Sequence, residues 1–181
     1  TSFKETIQLA ADVAATGKTG NELIGSVKET TRLAVLGEVD RQEAMKATLS
    51  IQTAFGQNTQ QLAESIDFLN AVENQTVLSL DDVTTAIPKV APVIKQLGGD
   101  VKDLAFFMTA MKEGGINASE GANALKSGLA SIINPTTKAT AMLESYGINI
   151  KNIVMMIYIL YFGSMNFTMQ MIVIHIFKMY K

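Results

Sequence analysis

This sequence has no cysteine, no tryptophan and a single histidine, His175. Without cysteine it can form no disulfide, zinc–thiolate site or cysteine nucleophile, and nothing in it indicates an oxidising compartment. One histidine cannot build a histidine metal site or a catalytic pair by itself. The formal net charge is only −2, so a strongly basic surface for sequence-specific nucleic-acid binding is not expected either.

The motifs that would support catalysis or cofactor binding are also missing. Gly17-Lys18-Thr19 resembles the end of a phosphate-binding loop, but Asp12 stands where that motif needs a glycine, and the preceding segment has a helical pattern instead of a strand. Asp81 and Asp82 form an acidic pair, yet in the first turn of a helix they suit the positive end of the helix dipole. We therefore predict a non-enzymatic protein with no catalytic residue, no cofactor and no metal.

What the sequence does contain is a series of amphipathic segments, most clearly at residues 80–133. Apolar residues recur there every three or four positions, which is the period of a helix that buries one face. We call these residues the apolar stripe and expect them to pack helix on helix: Leu80, Val83, Ile87, Val90, Ile94, Leu97, Leu104, Met108, Met111, Leu125, Leu129 and Ile132.

The same reading predicts helices along most of the chain, each begun by a capping residue and ended by glycine. Asp40, Ser79, Asp100 and Asn117 each precede an acidic residue by three positions, which is the capping-box spacing or close to it. Helices are predicted at residues 3–15 and 21–36, from Asp40 to Gly56, from Asn58 or Thr59 through Val72, from Ser79 to Gly98, from Asp100 to Gly114, from Asn117 to about Asn134, and at residues 137–146. Their expected inward faces include Phe3, Ile7, Ala10 and Ala14 in the first helix, Leu23, Val27 and Ala34 in the second, and Met45, Leu49 and Phe55 in the third.

Pro88 and Pro92 lie inside one predicted helix, where each removes a backbone donor. A kink or a break is therefore expected between Ile87 and Pro92. The predicted helix starts recur about every 20 residues, a period found in helical repeats. The fold class is thus predicted as all-α, either an array or a bundle of short antiparallel helices, followed by a hydrophobic C-terminal helix.

The composition changes after about Asn152. The remaining residues contain no Asp or Glu, and six of the ten methionines lie between Met155 and Met179. The stretch from Ile153 to Phe177 has no charged side chain if His175 is neutral, and about 20 apolar residues can span a bilayer. Three interpretations stay open: a transmembrane helix, a frameshifted or truncated reading of the gene, and a buried hydrophobic helix. We predict two domains, residues 1–150 and 151–181.

Several short motifs occur in an order that resembles the core region of phage tail tape measure proteins. The resemblance covers about residues 30–149. The motifs are LAVLGEVD (33–40), AFGQ (54–57), DFLNAVEN (67–74), VAPV (90–93), LG (97–98), GINASEG (115–121), ALKS (124–127) and YGI (146–148). Two departures are visible: GANALK (121–126) stands where the family shows AGTALR, and the likeness stops after Asn149.

This resemblance implies a structural role in phage tail assembly, in which a long helical protein sets tail length and assists DNA passage at infection. The expected partners are tail tube and tail assembly proteins, with self-association, and the C-terminal segment is expected to contact membrane if it is a true span. The expected location is the tail lumen of the virion, or the cytoplasm of a lysogenic bacterium. The chain is then a fragment of a longer ruler. The alternative is a small membrane-anchored helical interaction protein.

Overall fold

The computed structural model describes residues 3–147, which form eight α-helices and contain no strand. The all-α prediction is confirmed for this part of the chain. The predicted hydrophobic C-terminal helix and the stretch from Ile153 to Phe177 lie outside the described residues. The helices are α1 (Phe3–Ala15), α2 (Gly20–Leu36), α3 (Arg41–Phe55), α4 (Thr59–Gln75), α5 (Leu80–Gln96), α6 (Val101–Glu113), α7 (Ala118–Ile133) and α8 (Thr137–Ser145).

The helix starts follow the capping residues. At α5, the Ser79 hydroxyl accepts from the Asp82 amide and the Asp82 carboxylate accepts from the Ser79 amide, a complete capping box. Asp100 and Asp103 form the same pair at α6. Asn58 and Gln61 form another at α4, although Asn58 had been recognised only as a possible start. Each box satisfies two backbone donors that a helix otherwise leaves unpaired.

The chain divides into two compact units, residues 1–129 and 130–181. In the first unit, the extensive helix–helix contacts all join helices one or two apart in sequence, and the largest is between α3 and α5. Helices α2 and α4 run parallel: Arg32 of α2 pairs with Asp67 of α4, and Gly25 lies beside Thr59 nearer the start of both helices. Such a pattern is typical of a helical array, in which each element contacts only its neighbours.

Helix α5 continues through Pro88 and Pro92, so of the two predicted outcomes the break is wrong, whereas the kink stays a prediction. Each proline still removes one backbone hydrogen bond. The face that carries Leu80, Val83 and Ile87 is fully buried, however, and burial of apolar side chains offsets the loss. Pro92 itself lies on the exposed side of the helix.

The predicted inward face of α1 is wrong, and that of α3 is only partly buried. Ile7 of α1 is 55% exposed, and the helix buries Leu9 and Val13 on its other side. In α3, Met45, Leu49 and Phe55 are only half-buried. The residues that α3 does bury are small or polar: Ala44, Ala47, Thr48, Ile51 and Gln52.

In the second unit, α8 has no buried residue among those described. The domain boundary predicted after residue 150 falls outside the described residues and stays a prediction. Within residues 3–147, no helix combines the length and the apolar character needed to cross a bilayer.

Candidate helix-packing surface

The apolar stripe forms much of the core of the first unit. Eight of its residues are buried: Leu80, Val83, Ile87, Val90, Ile94, Leu104, Met108 and Leu125. Leu97, Met111 and Leu129 are half-buried. Ile132, at the end of the stripe, lies in the second unit and is 40% exposed. The spacing thus predicted the buried face of α5 and α6 well, and the burial declines along α7.

Helix α5 packs on α3 through a surface of small side chains. Ala44 and Ala47 of α3 are completely buried, and Ile51 is the one large apolar residue among the buried residues of that helix. Small side chains allow two helix backbones to approach, so the long apolar face of α5 can lie close to α3. An apolar-period search missed this face, because alanine and threonine contribute little to a hydrophobic pattern.

The contact between α2 and α3 is polar, although it is buried. The Ser26 hydroxyl donates to the Gln52 side-chain oxygen over 3.2 Å, and the Thr30 and Thr48 hydroxyl oxygens lie 2.7 Å apart. We call these four residues the polar seam. The amide nitrogen of Gln52 has no hydrogen-bond partner among the described residues. A buried donor without a partner costs free energy, so this contact is less favourable than an apolar one of equal area.

A group of charged side chains lies next to the polar seam. Glu29 is 3% exposed and accepts from Arg32 over 3.3 Å, and Arg32 also pairs with Asp67 of α4. The hydrogen bond to Asp67 raises the pKa of the Arg32 guanidinium, against a smaller opposing effect of burial. Arg32 therefore keeps its charge and links α2 to α4.

A second ion pair joins α5 to α6. The Lys112 ammonium nitrogen lies 2.8 Å from a carboxylate oxygen of Asp82, which also belongs to the α5 capping box. Burial favours a higher pKa of Asp82, but the hydrogen bonds from Lys112 and from the Ser79 amide and hydroxyl outweigh it and lower that pKa below its ordinary value. The Asp82 carboxylate at the start of α5 is thus kept ionised by Lys112 at the end of α6.

The structure gives no chemical role to the residues that resemble other sites. Gly17 lies in the turn after α1 with a φ of 90°, and Lys18 pairs with Glu22 in the first turn of α2. Asp81 is exposed at the start of α5. Among residues 3–147, no group of three or more His, Cys, Asp or Glu side chains is placed to hold a metal ion. His175 lies outside the described residues.

Two grooves of the first unit lie between next-but-one helices. One lies between α1 and α3, lined by Glu5, Leu9 and Arg41 among others, and another between α3 and α5 is lined by Leu49, Thr53 and Pro92. Both are open to solvent. Within residues 3–147 the structure thus shows an all-α protein whose buried surfaces are contacts between helices.

The family follows from comparison with known sequences. A model of the phage-related minor tail protein family matches residues 1–173, so the chain belongs to that family. A tape measure protein of Pneumococcus phage Dp-1 is 25% identical over 148 residues. The match covers 82% of this chain and 13% of that relative. No solved structure matches. Membership of the family supports a structural role in the phage tail.

Proposed function

We propose that this chain is part of a tail ruler, in which residues of the helical array count towards the length of the phage tail. The family match carries the proposal, and the fold of the first unit is compatible with it. A ruler needs a dimension that grows with chain length, and an array of helices that contact only near neighbours provides one. A fully helical chain adds about 1.5 Å per residue.

The partners that this role requires are tail tube and tail assembly proteins, which would contact exposed side chains of the array. Exposed apolar residues are available on its surface: Ile24 and Val35 on α2, and Phe106 on α6. Assistance to DNA passage at infection belongs to the same proposal, because a protein that fills the tail must leave it before DNA can pass through.

The test is an in-frame deletion in the full-length gene of the parent phage. Removal of residues 59–96, which comprise α4 and α5, takes out one helix pair and leaves the flanking connections in place. The deleted stretch corresponds to about 57 Å of helix at about 1.5 Å per residue. Tails measured by electron microscopy should be shorter in proportion, and a duplication of the same residues should lengthen them equally.

The matched control keeps the chain length and changes the surface. Ile24→Ser and Val35→Ser together should leave tail length unchanged even if they reduce the yield of tails. Tails of normal length from both the deletion and the duplication would contradict the ruler proposal. If the deletion abolishes tails, the duplication still tests the proposal, because it removes no residue.

A further inference from the structure

The hairpin of α1 and α2, residues 3–36, is attached to the rest of the first unit mainly by polar contacts. The polar seam supplies the pairs Ser26–Gln52 and Thr30–Thr48 between α2 and α3. When such an interface opens, water replaces the lost hydrogen bonds, and the orphaned Gln52 amide gains a partner. The interface therefore resists opening less than an apolar one does.

The apolar attachment of this hairpin is small and lies at one end. Of its residues, only Leu33 and Ala34 belong to the contiguous core cluster, and both are in the last turns of α2. Leu9 and Val13 of α1 are buried but lie outside that cluster. Separation of the hairpin from α3 and α4 thus takes only Leu33 and Ala34 out of the core cluster.

The connection between α2 and α3 has the geometry of a strained hinge. Residues 37–40 link the two helices, and Glu38 has a φ of +51°, the one non-glycine residue among those described with a positive φ. An L-residue in the left-handed region is strained, and surrounding contacts must hold it there. The hydrogen bond from the Val39 amide to the Ala34 carbonyl of α2, 3.1 Å long, holds Glu38 in this turn.

Other polar links are partly exposed, although Nη1 of Arg41 is itself buried. Glu5 of α1 lies 2.9 Å from Arg41 of α3, and the Gln42 side chain donates to Asp12 over 2.7 Å. Arg32 pairs with Asp67 of α4. Exposed ion pairs contribute little to stability and are screened by salt.

We propose that the α1–α2 hairpin opens as one unit about residues 37–40 while α3 to α6 stay folded. Opening uncovers the side of α3 that carries Thr48 and Gln52, together with the neighbouring surface of α4 at Thr59 and Asp67. The inference does not depend on the ruler function, because it follows from the contacts of the first unit alone.

A disulfide across the polar seam tests the proposal directly. Because the sequence contains no cysteine, the two introduced cysteines can pair only with each other within one chain. The Thr30 and Thr48 side-chain oxygens are 2.7 Å apart, so Thr30→Cys with Thr48→Cys places two sulfurs within bonding reach. Hydrogen exchange of the full chain is then followed by mass spectrometry, with the reduced protein as the control. In the reduced protein, amides of α1 and α2 should exchange together, about ten-fold or more faster than those of α5.

Oxidation should slow the exchange of both α1 and α2 to about the rate of α5. The proposal is overturned if the hairpin exchanges at the α5 rate before oxidation, or if oxidation leaves its rate unchanged. Because one protein is compared in two redox states, a folding defect of the variant cannot imitate the expected result. If the reduced variant loses protection in all helices, the valine variants described next provide the test.

A pair of valine variants gives a second measurement without a cross-link. Thr30→Val with Thr48→Val replaces one of the two hydrogen-bonded pairs of the polar seam by apolar side chains and should slow hairpin exchange selectively, since both partners are replaced at once. Thr84→Val is the matched control: Thr84 is 2% exposed, its hydroxyl has no partner among the described residues, and it lies on α5. Equal slowing of the hairpin by both variants would contradict a separate opening.

Discussion

At Gly25, helix α2 lies so close to α4 that an added Cβ would overlap the side chain of Thr59. Helix propensity alone favours alanine over glycine, but the contact opposes it. We expect Gly25→Ala to weaken the attachment of the α1–α2 hairpin by about 1–3 kcal/mol, as overpacking usually does. Hydrogen exchange of α1 and α2 by mass spectrometry measures this change, and urea denaturation followed by circular dichroism measures global stability, which should change less.

The matched control is Gly128→Ala in α7, where an added Cβ would meet nothing within 4 Å. That variant should be more stable than the parent by about 0.5–1 kcal/mol, because only helix propensity changes. If both alanine variants are stabilised, the close approach of α2 and α4 is less tight than the structure indicates.

The pair of Asp82 and Lys112 gives a pH-dependent prediction. The folded state lowers the pKa of Asp82 below its ordinary value of 3.8, so the pair stabilises the protein above about pH 4 and loses its effect as the pH falls through the lower folded value. Lys112→Met should therefore cost about 1 kcal/mol at pH 7, the size expected for a partly exposed charged hydrogen bond.

Urea titrations at pH 7, 5 and 3 would measure this difference. It should be the same at pH 7 and 5 and should shrink at pH 3, which is below the ordinary pKa of 3.8, because the unfolded chain then binds a proton at Asp82. Lys95→Met is the control, since Lys95 is an exposed lysine in the last turn of α5. A cost of Lys112→Met that is undiminished at pH 3 would indicate lost packing of the lysine stem instead of lost charge.

At the scale of single helices, the prolines of α5 show how packing outweighs local preference. Pro92 is on the exposed side of the helix and lacks a backbone donor. Pro92→Ala restores one hydrogen bond and removes a clash with the preceding turn, so the melting temperature should rise, with a gain of about 1–3 kcal/mol. Thermal unfolding by calorimetry would measure it.

Pro135→Ala provides the comparison, because Pro135 lies between α7 and α8 and interrupts no helix. It should change stability by at most about 1 kcal/mol, through the unfolded chain. A fall in stability of Pro92→Ala beyond that of Pro135→Ala would mean that the proline ring packs usefully against Leu49 and Thr53 of α3, which line the same groove.

The helices also show what a sequence can and cannot predict. Helix starts were predictable because capping is local: the side chain of Ser79 or Asp100 bonds an amide two or three residues away. Inward faces were predictable where burial is long and apolar, as in α5. They failed in α3, where Ala47 and Thr48 face the core, and in α1, where Ile7 is more hydrophobic than its neighbours yet faces solvent. Only the tertiary partner decides between two such faces.

For the first unit as a whole, contacts between near neighbours imply that stability is distributed unevenly along the chain. In an array, each helix pair contributes its own term and its interface with the next, so distant parts unfold partly independently. The contiguous core runs from the end of α2 through α7, and the buried residues of α1 are outside it. We therefore expect the polar seam to be the least stable helix–helix interface of the array.

The same leucine-to-alanine substitution at two buried positions tests this uneven distribution of stability. Leu9 of α1 and Leu104 of α6 are 2% and 0% exposed. Truncation of a buried leucine to alanine costs about 2–5 kcal/mol in a cooperative core. Leu104→Ala should reduce the free energy of global unfolding by that amount. Leu9→Ala should mainly speed hydrogen exchange in α1 and α2 and cost less than about 1 kcal/mol in global unfolding.

Urea denaturation monitors the global transition, and hydrogen exchange by mass spectrometry resolves the helices. Equal losses of global stability in the two variants would show that α1 unfolds together with α6, and the first unit would then be one cooperative core. The expected difference would place the cooperative boundary between α2 and α3. There the chain combines buried hydroxyls, exposed ion pairs and a strained Glu38, and each of these holds the hairpin less firmly than apolar packing would.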